Sequence, residues 1–202
     1  MIKKVYSVRY SDRLDVMSGN LMKDFTFPWK RGRAPRTEFR AVWNEQALGF
    51  HFDVDDEDII LHESEDPDEA VLGSDRVEIF LATKPDLKGP YYGAEMDPRG
   101  NVYDYKARYH REFDDGWSFG NLKFRCEIRD GGYTVKGRFA MDELNNLDLV
   151  KGKQIVAGVY RAEFGHNKKG DLTEEWISWV NPQKDEQDFH VPESFGMWKL
   201  DL

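Results

Sequence analysis

The chain has 202 residues, of which 40% are hydrophobic and 14% aromatic, enough apolar material for one large core. Its net charge of −9 argues against nucleic acid as the main partner. No stretch approaches the ~20 apolar residues of a membrane span. The single cysteine, Cys126, excludes an internal disulfide framework and a cysteine-rich metal site.

The first residues, MIKKVYSVRY, contain two lysines but no apolar run behind them, unlike a secretory signal peptide. As the chain stands, we expect a cytoplasmic protein, and a secreted one if a signal segment was removed. No Ser/Gly tract, Pro-rich run or low-complexity segment divides the sequence. We therefore expect residues 1–202 to form a single domain.

Alternation of apolar and polar residues with a period of two predicts strands along the first half of the chain. These strands cover residues 38–43, 48–54, 75–82, 91–97 and 102–109. The turn 44-NEQA-47 joins the first two strands into a hairpin. The turn 97-DPRGN-101 places proline and glycine where a tight reversal needs them.

The second half continues the same pattern. Strands are predicted at residues 122–128, 133–140, 154–164, 174–180 and 196–202. Residues 141–148 are predicted to form one short helical turn, with Asp142 as its cap. About ten strands with hardly any helix predict an all-β protein, arranged as an antiparallel β-sandwich of the jelly-roll type.

One strand carries an acid and a base in the middle of one face. In 74-SDRVEIFLA-82, alternate residues from Val77 to Leu81 form a plain apolar face, whereas the opposite face carries Arg76 and Glu78. Such a face can be solvated, can form a structural ion pair or can bind a ligand. The strand alone leaves these three possibilities open.

The run 53-DVDDEDIILHESEDPDE-69 has the acid density of a calcium-binding loop. Calcium takes roughly six to eight oxygen ligands, several of them carboxylates. The EF-hand spacing fails because no glycine stands at the sixth loop position. We favour a solvated acidic loop, with Asp53 and Asp55 as the expected ligands if a metal is bound.

Six segments, taken together in their order and spacing, point to a known family. They are 41-AVWNEQALGFHFDVDDEDI-59, 74-SDRVEIFL-81, 91-YYGAEMDPRGNVYD-104, 131-GGYTVKGRFAMDEL-144, 176-WISW-179 and 188-DFHVPESFGMWKL-200. This set resembles carbohydrate-binding module family 9, and above all the free-standing bacterial family 9-like proteins.

The resemblance implies a β-sandwich that binds sugar ends on one concave face, in the breakdown of polysaccharides such as xylan. In the xylanase-attached members of the family, two tryptophans sandwich a terminal sugar. Acids, amides and an arginine bind its hydroxyl groups, and calcium ions brace the loops. Structural calcium is therefore the one cofactor that the resemblance suggests.

Several positions can be carried over one by one. Glu78 stands where the family has a sugar-binding glutamate, and Phe189 where the C-terminal stacking tryptophan is expected. Leu72 takes the place of the other stacking tryptophan, and Glu95 that of an arginine. Arg161 falls where a hydroxyl-binding amide lies.

Sugars are held by planar polar groups that form paired hydrogen bonds, together with an aromatic face against the C–H side of the ring. Seven residues could supply these parts: Glu78, Glu95, Tyr91, Arg161, Phe189, His190 and Trp117. Trp117 is included because it lies in a turn-rich stretch. The tryptophans on strands are expected in the core: Trp43, Trp176, Trp179 and Trp198.

These observations predict non-catalytic binding of a mono- or oligosaccharide, with neither nucleic acid nor membrane as a partner. The first alternative is a glycoside hydrolase, in which Glu78 and Glu95 would be an acid and base pair about 5–9 Å apart. The second is a module whose sugar site has decayed and which binds other proteins. Leu72 and Glu95 favour that alternative.

Overall fold

The computed structural model describes residues 4–202 and contains twelve strands in one sheet. The strands are β1 Val5–Tyr10, β2 Thr37–Trp43, β3 Ala47–Asp55, β4 Arg76–Ala82, β5 Tyr91–Met96, β6 Val102–Arg108, β7 Glu112–Asp114, β8 Lys123–Arg129, β9 Gly132–Ala140, β10 Gln154–His166, β11 Leu172–Ser178 and β12 Gly196–Asp201. The helices are α1 Pro67–Leu72 and α2 Met141–Asn146, with single 3₁₀ turns at Val16–Ser18 and Pro192–Ser194. The protein is therefore all-β, as predicted.

Every strand predicted from alternation is confirmed, with ends that shift by at most about two residues. Three elements were not predicted: β1, the three-residue β7 and helix α1. Helix α1 lies in the acidic run, where Asp66 caps it and Pro67 begins it. The predicted cap at Asp142 is wrong, because α2 begins one residue earlier and Asp142 lies in its first turn.

The strands follow the order β7-β6-β5-β4-β10-β12-β1-β2-β3-β9-β8, and β11 pairs with the free part of β10. Most neighbours are antiparallel, but β1 pairs in parallel with both β12 and β2. This corrects the expectation of a purely antiparallel arrangement. No hairpin turn joins β1 to either neighbour, so no turn forces the antiparallel direction. In residues 4–202, no helix has the length and apolar character needed to cross a membrane.

The main core lies on the inner face of the curled sheet. Apolar side chains of β3 and β4, which are far apart in strand order, belong to one buried cluster. A series of ring contacts, Tyr92 to Trp117, Phe119 and Phe139, joins β5 to β9 across the interior. Three of the tryptophans expected in the core are buried there: Trp43, Trp179 and Trp198.

A second aromatic cluster covers the other face of β4, β5 and β10. Two glycines make room for its rings. A side chain at Gly93 would come within 2.3 Å of the Tyr105 ring, and one at Gly158 within 1.9 Å of the Tyr160 hydroxyl. The segment after β11 packs on these rings through Phe189. This second face carries the cavity described below.

We expect Gly93→Ala to destabilise the fold by about 1–3 kcal/mol, because the added methyl overlaps the buried Tyr105 ring. The control is Gly165→Ala, also in a strand, where a Cβ meets no atom within 4 Å. That variant should be as stable as the wild type or slightly more so. Chemical denaturation measures both. Equal stability of the two variants would contradict this packing argument.

Candidate functional site

A cavity of about 230 Å³ opens on the outer face of β4 and β5, on the side away from the main core. Charged side chains of these two strands form its floor, and aromatic side chains of β6, β7 and β11 form its walls. The lining residues are Leu72, Arg76, Glu78, Glu95, Tyr103, Arg111, Phe113, Trp176, Gln187, Asp188, Phe189 and His190. Four of the predicted contacts are therefore brought together: Glu78, Glu95, Phe189 and His190.

The floor is one guanidinium between two carboxylates. Arg76 donates a hydrogen bond from Nε to Glu95 Oε2 at 2.8 Å, and the same nitrogen lies 3.1 Å from Glu78 Oε1. Tyr105 donates to the other oxygen of Glu95 at 3.1 Å. Glu78 Oε1 accepts no hydrogen bond from the described residues. The sequence analysis noted Arg76 beside Glu78 but did not choose it as a contact.

All three charged groups of the floor are at least 95% buried, with exposed fractions of 2% for Arg76, 1% for Glu78 and 4% for Glu95. Burial, and then the charge of Glu95, raise the pKa of Glu78 well above its usual value. One arginine cannot fully neutralise two adjacent acids. The floor is therefore rich in acceptors and open to a further donor.

Aromatic rings stand on both sides of this floor. Trp176 on β11 is half-buried, and the Arg76 guanidinium lies 5.5 Å from its ring centre. Tyr103 on β6 and Phe113 on β7 stand on the far side of β4 and β5. The sequence analysis placed Trp176 in the core, because its strand alternates like the others. It had no signal for Phe113, since β7 is too short to show a period.

Phe189 lines the cavity, but its ring is used elsewhere. It stacks on Tyr160 at 4.3 Å with an interplanar angle of 19°, and it contacts Trp176 and Trp29 at 5.2 and 5.3 Å. Only 2% of Phe189 is exposed. It therefore supports the Trp176 wall from behind. The sequence-based expectation that Phe189 offers its own ring face to a ligand is wrong.

His190 is held in place by two neighbours. Its Nδ1 lies 2.9 Å from the Tyr91 hydroxyl, and its backbone N–H donates to Asp188 Oδ1 at 2.8 Å. Burial lowers the pKa of His190 to about 4, so the ring is neutral at neutral pH. Asp188 also pairs with Arg111 at 2.8 Å at the rim. Tyr91 is fully buried and positions His190 instead of contacting a ligand.

Besides Tyr91, two predicted contacts lie outside the cavity. Arg161 pairs in register with Val77, so its side chain leaves the sheet on the core face, opposite to Glu78. It is fully buried there and donates to Asp55 O at 3.0 Å. Trp117 packs on Tyr92 at 4.7 Å, at the edge of the main core. The structure does not bring either residue to the predicted ligand face.

Asp53 and Asp55, the predicted metal ligands, have cationic partners of their own. Arg36 contacts them at 3.0 and 2.9 Å, and Arg129 contacts both at 2.8 Å. The hydrogen bond from Arg129 is the main reason why the pKa of Asp55 is lowered. Two arginines therefore occupy the position that a metal ion would take if Asp53 and Asp55 were its ligands.

A different group of carboxylates has the chemistry of a calcium site. Oxygens of Asp56, Asp75 and Glu163 lie within 4.8 Å of one another. Arg161 contacts Glu163 and lies 3.7 Å from Asp56 Oδ2, so one cation faces three acids. Asp56 Oδ2 is buried and accepts no hydrogen bond from residues 4–202.

These carboxylates fit a calcium brace. Burial raises the pKa of Asp75 to about 8 and that of Glu163 to about 7, the expected result for acids that lack enough positive charge. Hard oxygen ligands are those that calcium prefers. An ion held here would tie the segment after β3 to β4 and β10. The acidic run 53–69 contains Asp56 alone of these three, and nothing in the sequence indicated that Asp75 and Glu163 join it.

We expect calcium to raise the thermal unfolding midpoint of chelator-treated protein. At a hundredfold excess of calcium over its Kd, the free energy of unfolding should rise by about 2.7 kcal/mol. Asp56→Asn should abolish this response because it removes one ligand charge. The control is Asp53→Asn, which should keep it. Scanning calorimetry measures the midpoints. A response lost only in Asp53→Asn would move the ion to the Arg36 and Arg129 pairs.

The sequence profile described as "Carbohydrate family 9 binding domain-like" matches residues 20–202. No curated protein matches the chain.

Solved structures share the fold at low sequence identity. A protein from Bacteroides uniformis ATCC 8492, provisionally assigned as carbohydrate-binding, superimposes with a TM-score of 0.78 at 17% identity, covering 98% of this chain and 99% of its own. A carbohydrate binding module family 9 from Caldicellulosiruptor kristjanssonii has been solved with glucose and with cellotriose. Its TM-scores are 0.61 and 0.63 at 16% identity, covering 98% of this chain and 96% and 94% of those chains.

Proposed function

Because this chain belongs to the carbohydrate family 9 binding domain-like family, we propose that it binds a mono- or oligosaccharide without cleaving it. The observation that carries the proposal is the buried group of Arg76, Glu78 and Glu95 at the floor of a cavity with aromatic walls. Hydrogen-bonding groups below and rings at the sides are the two parts that sugar recognition requires.

Each part of the cavity has a role in this proposal. Glu78 accepts hydrogen bonds from sugar hydroxyls, since its Oε1 has no such bond in the free protein. Trp176 offers its partly exposed ring to the C–H face of the sugar. A volume of about 230 Å³ is below the usual range for larger ligands and suits one terminal ring. The sugars bound by the Caldicellulosiruptor module point to glucose and short glucose chains as first ligands.

Two positions of the cavity differ from the family pattern, and residues close to them compensate for the difference. Glu95 replaces an arginine, but Arg76 on the neighbouring strand brings a guanidinium within 2.8 Å of it. Leu72 replaces a stacking tryptophan and still lines the cavity, with 41% of its surface exposed. These compensations favour a retained sugar site over the hypothesis of a decayed module.

The hydrolase alternative is weaker on the same geometry. Glu78 and Glu95 lie directly opposite each other on adjacent strands and share the Arg76 guanidinium. Both are nearly fully buried, whereas a glycosidase needs its two carboxyl groups free to flank the bond that is cut. We therefore assign both acids to binding.

The curl of the sheet supports a finer proposal about architecture. We take β4 to β7 with β10 and β11 as one layer and the remaining strands as the other, in one sandwich domain over residues 1–202. Rings that meet between β5 and β9 support this arrangement. A part in polysaccharide breakdown fits the same proposal.

We expect Glu78→Gln to weaken glucose and cellotriose binding roughly two- to tenfold, because the amide replaces one acceptor oxygen by a donor and a hydrogen bond contributes about 0.5–1.5 kcal/mol. Its unfolding midpoint should not fall, since a neutral amide is easier to bury than this acid. Calorimetric titration measures affinity, with exposed Glu65→Gln as the control. Unchanged binding would favour the protein-interaction module, and cleavage that disappears in Glu78→Gln would establish the hydrolase.

We expect Trp176→Ala to lower affinity for the same sugars by about 1–2 kcal/mol, or roughly five- to thirtyfold, through loss of the stacking wall. The matched variant is Trp117→Ala, which removes the tryptophan that the structure places outside the cavity. Tryptophan fluorescence during titration should change in the wild type and in Trp117→Ala only. Equal losses of affinity in both variants would contradict the assignment of Trp176.

A further inference from the structure

A row of basic side chains crosses the outer face of the other half of the sheet. Arg40, His51, Lys136 and Arg125 are direct partners in register on β2, β3, β9 and β8. In the next row, Lys123 lies opposite Arg138 on β8 and β9. We call the four residues Lys123, Arg125, Lys136 and Arg138 the basic face.

Within residues 4–202, no member of the basic face makes an ion pair or a side-chain hydrogen bond. The neighbouring arginines are different, since Arg36 and Arg129 are both paired with Asp53 and Asp55. Like charges directly opposite each other on a sheet are destabilising. The chain has 38 acids and a net charge of −9, yet within the described residues none of them forms an ion pair with these four cations. Glu127 lies on the same face of β8, beside Arg125, and lines the second of the grooves described next.

The basic face lines shallow grooves and does not form a closed pocket. One groove, of about 440 Å³, runs between Leu14 and Val16 on one side and the four cations on the other. A second, of about 520 Å³, continues past Arg125 and Lys136 to Met17 and His51. Opposite side chains on adjacent strands stand about 5 Å apart, and alternate ones along a strand about 6.6 Å. This spacing suits an extended ligand with repeated negative charges.

We propose that the basic face is a second binding site, separate from the sugar cavity, for an acidic polysaccharide whose rings carry carboxylates. Arginine and lysine side chains about 5 Å apart on adjacent strands can each meet one carboxylate, as a polymer with one carboxylate per sugar ring requires. Arginine can hold a carboxylate by two parallel hydrogen bonds. The choice of a sugar polymer rests on the proposed function.

Single-stranded nucleic acid fits the basic face less well. Such ligands are held by rings that stack on successive bases. The one ring along the groove, Phe124, packs against the main core instead.

The test is titration with polygalacturonate, a linear uronic acid polymer, at about 20 mM and about 200 mM salt. The face variant changes Lys123, Arg125, Lys136 and Arg138 to Gln. The control changes four exposed lysines to Gln with the same loss of charge: Lys84, Lys88, Lys168 and Lys169. A double variant, Arg125→Gln with Lys136→Gln, serves if the fourfold change disturbs folding.

We expect wild type and control to bind at low salt and to lose at least tenfold in affinity at high salt. The face variant should lose at least tenfold at low salt and still bind glucose or cellotriose as the wild type does. Glu78→Gln should lose affinity for glucose and cellotriose but bind polygalacturonate as the wild type does. A failure of the cavity proposal can therefore be distinguished from a failure of the basic-face proposal. No binding of polygalacturonate, equal losses in the control, or equal binding of a thymidine oligonucleotide would each overturn the proposal.

Discussion

The register of β4 between β5 and β10 decides which side chains meet in this protein. Glu78 lies directly opposite Glu95 and Tyr160, so all three leave the sheet on one face. Val77, one residue earlier, shares the opposite face with Arg161 and the main core. Since side chains alternate with a period of two, a slip by one residue would exchange these faces and bury the carboxylates among apolar rings. The cavity and the core depend on the same set of backbone hydrogen bonds.

Each face of these strands buries one guanidinium among an excess of carboxylates. Arg76 lies with Glu78 and Glu95 at the cavity, and Arg161 with Asp56 and Glu163 beside the core. The desolvation of buried charges often costs as much free energy as their attraction returns, so such groups are poor devices for stability alone. A further hydrogen-bond donor or positive charge improves the balance in both places. A sugar hydroxyl would supply it at the first group and a calcium ion at the second.

The two proposed binding surfaces lie on different halves of the sheet and differ in chemistry. The cavity combines acceptors with aromatic walls and is small, whereas the basic face has unpaired cations along open grooves. A sugar end and the body of an acidic chain would therefore not compete. The basic face keeps its cations because Asp53 and Asp55 already pair with Arg36 and Arg129, and only one acid, Glu127, lies among the residues that line its grooves.

The sequence by itself determined the strands other than β1 and β7, because alternation records which side of each strand meets apolar surroundings. With the family resemblance it also selected Glu78, Glu95, Phe189 and His190, which the structure places around one cavity. It could not assign Arg161 or Trp176 correctly. Alternation gives two faces for each strand, but it does not say which face of one strand continues which face of the next.

Only the tertiary structure decided that relation, through the pairing of strands distant in sequence. It turned Arg161 toward Asp56 and Glu163, brought Trp176 beside Arg76, and aligned the basic row across four strands. The physical reason is that hydrogen bonds between strands set the register over the whole sheet. A local pattern of residues shows which side chains share a face of a strand, but it does not show which distant strand will pair with that strand.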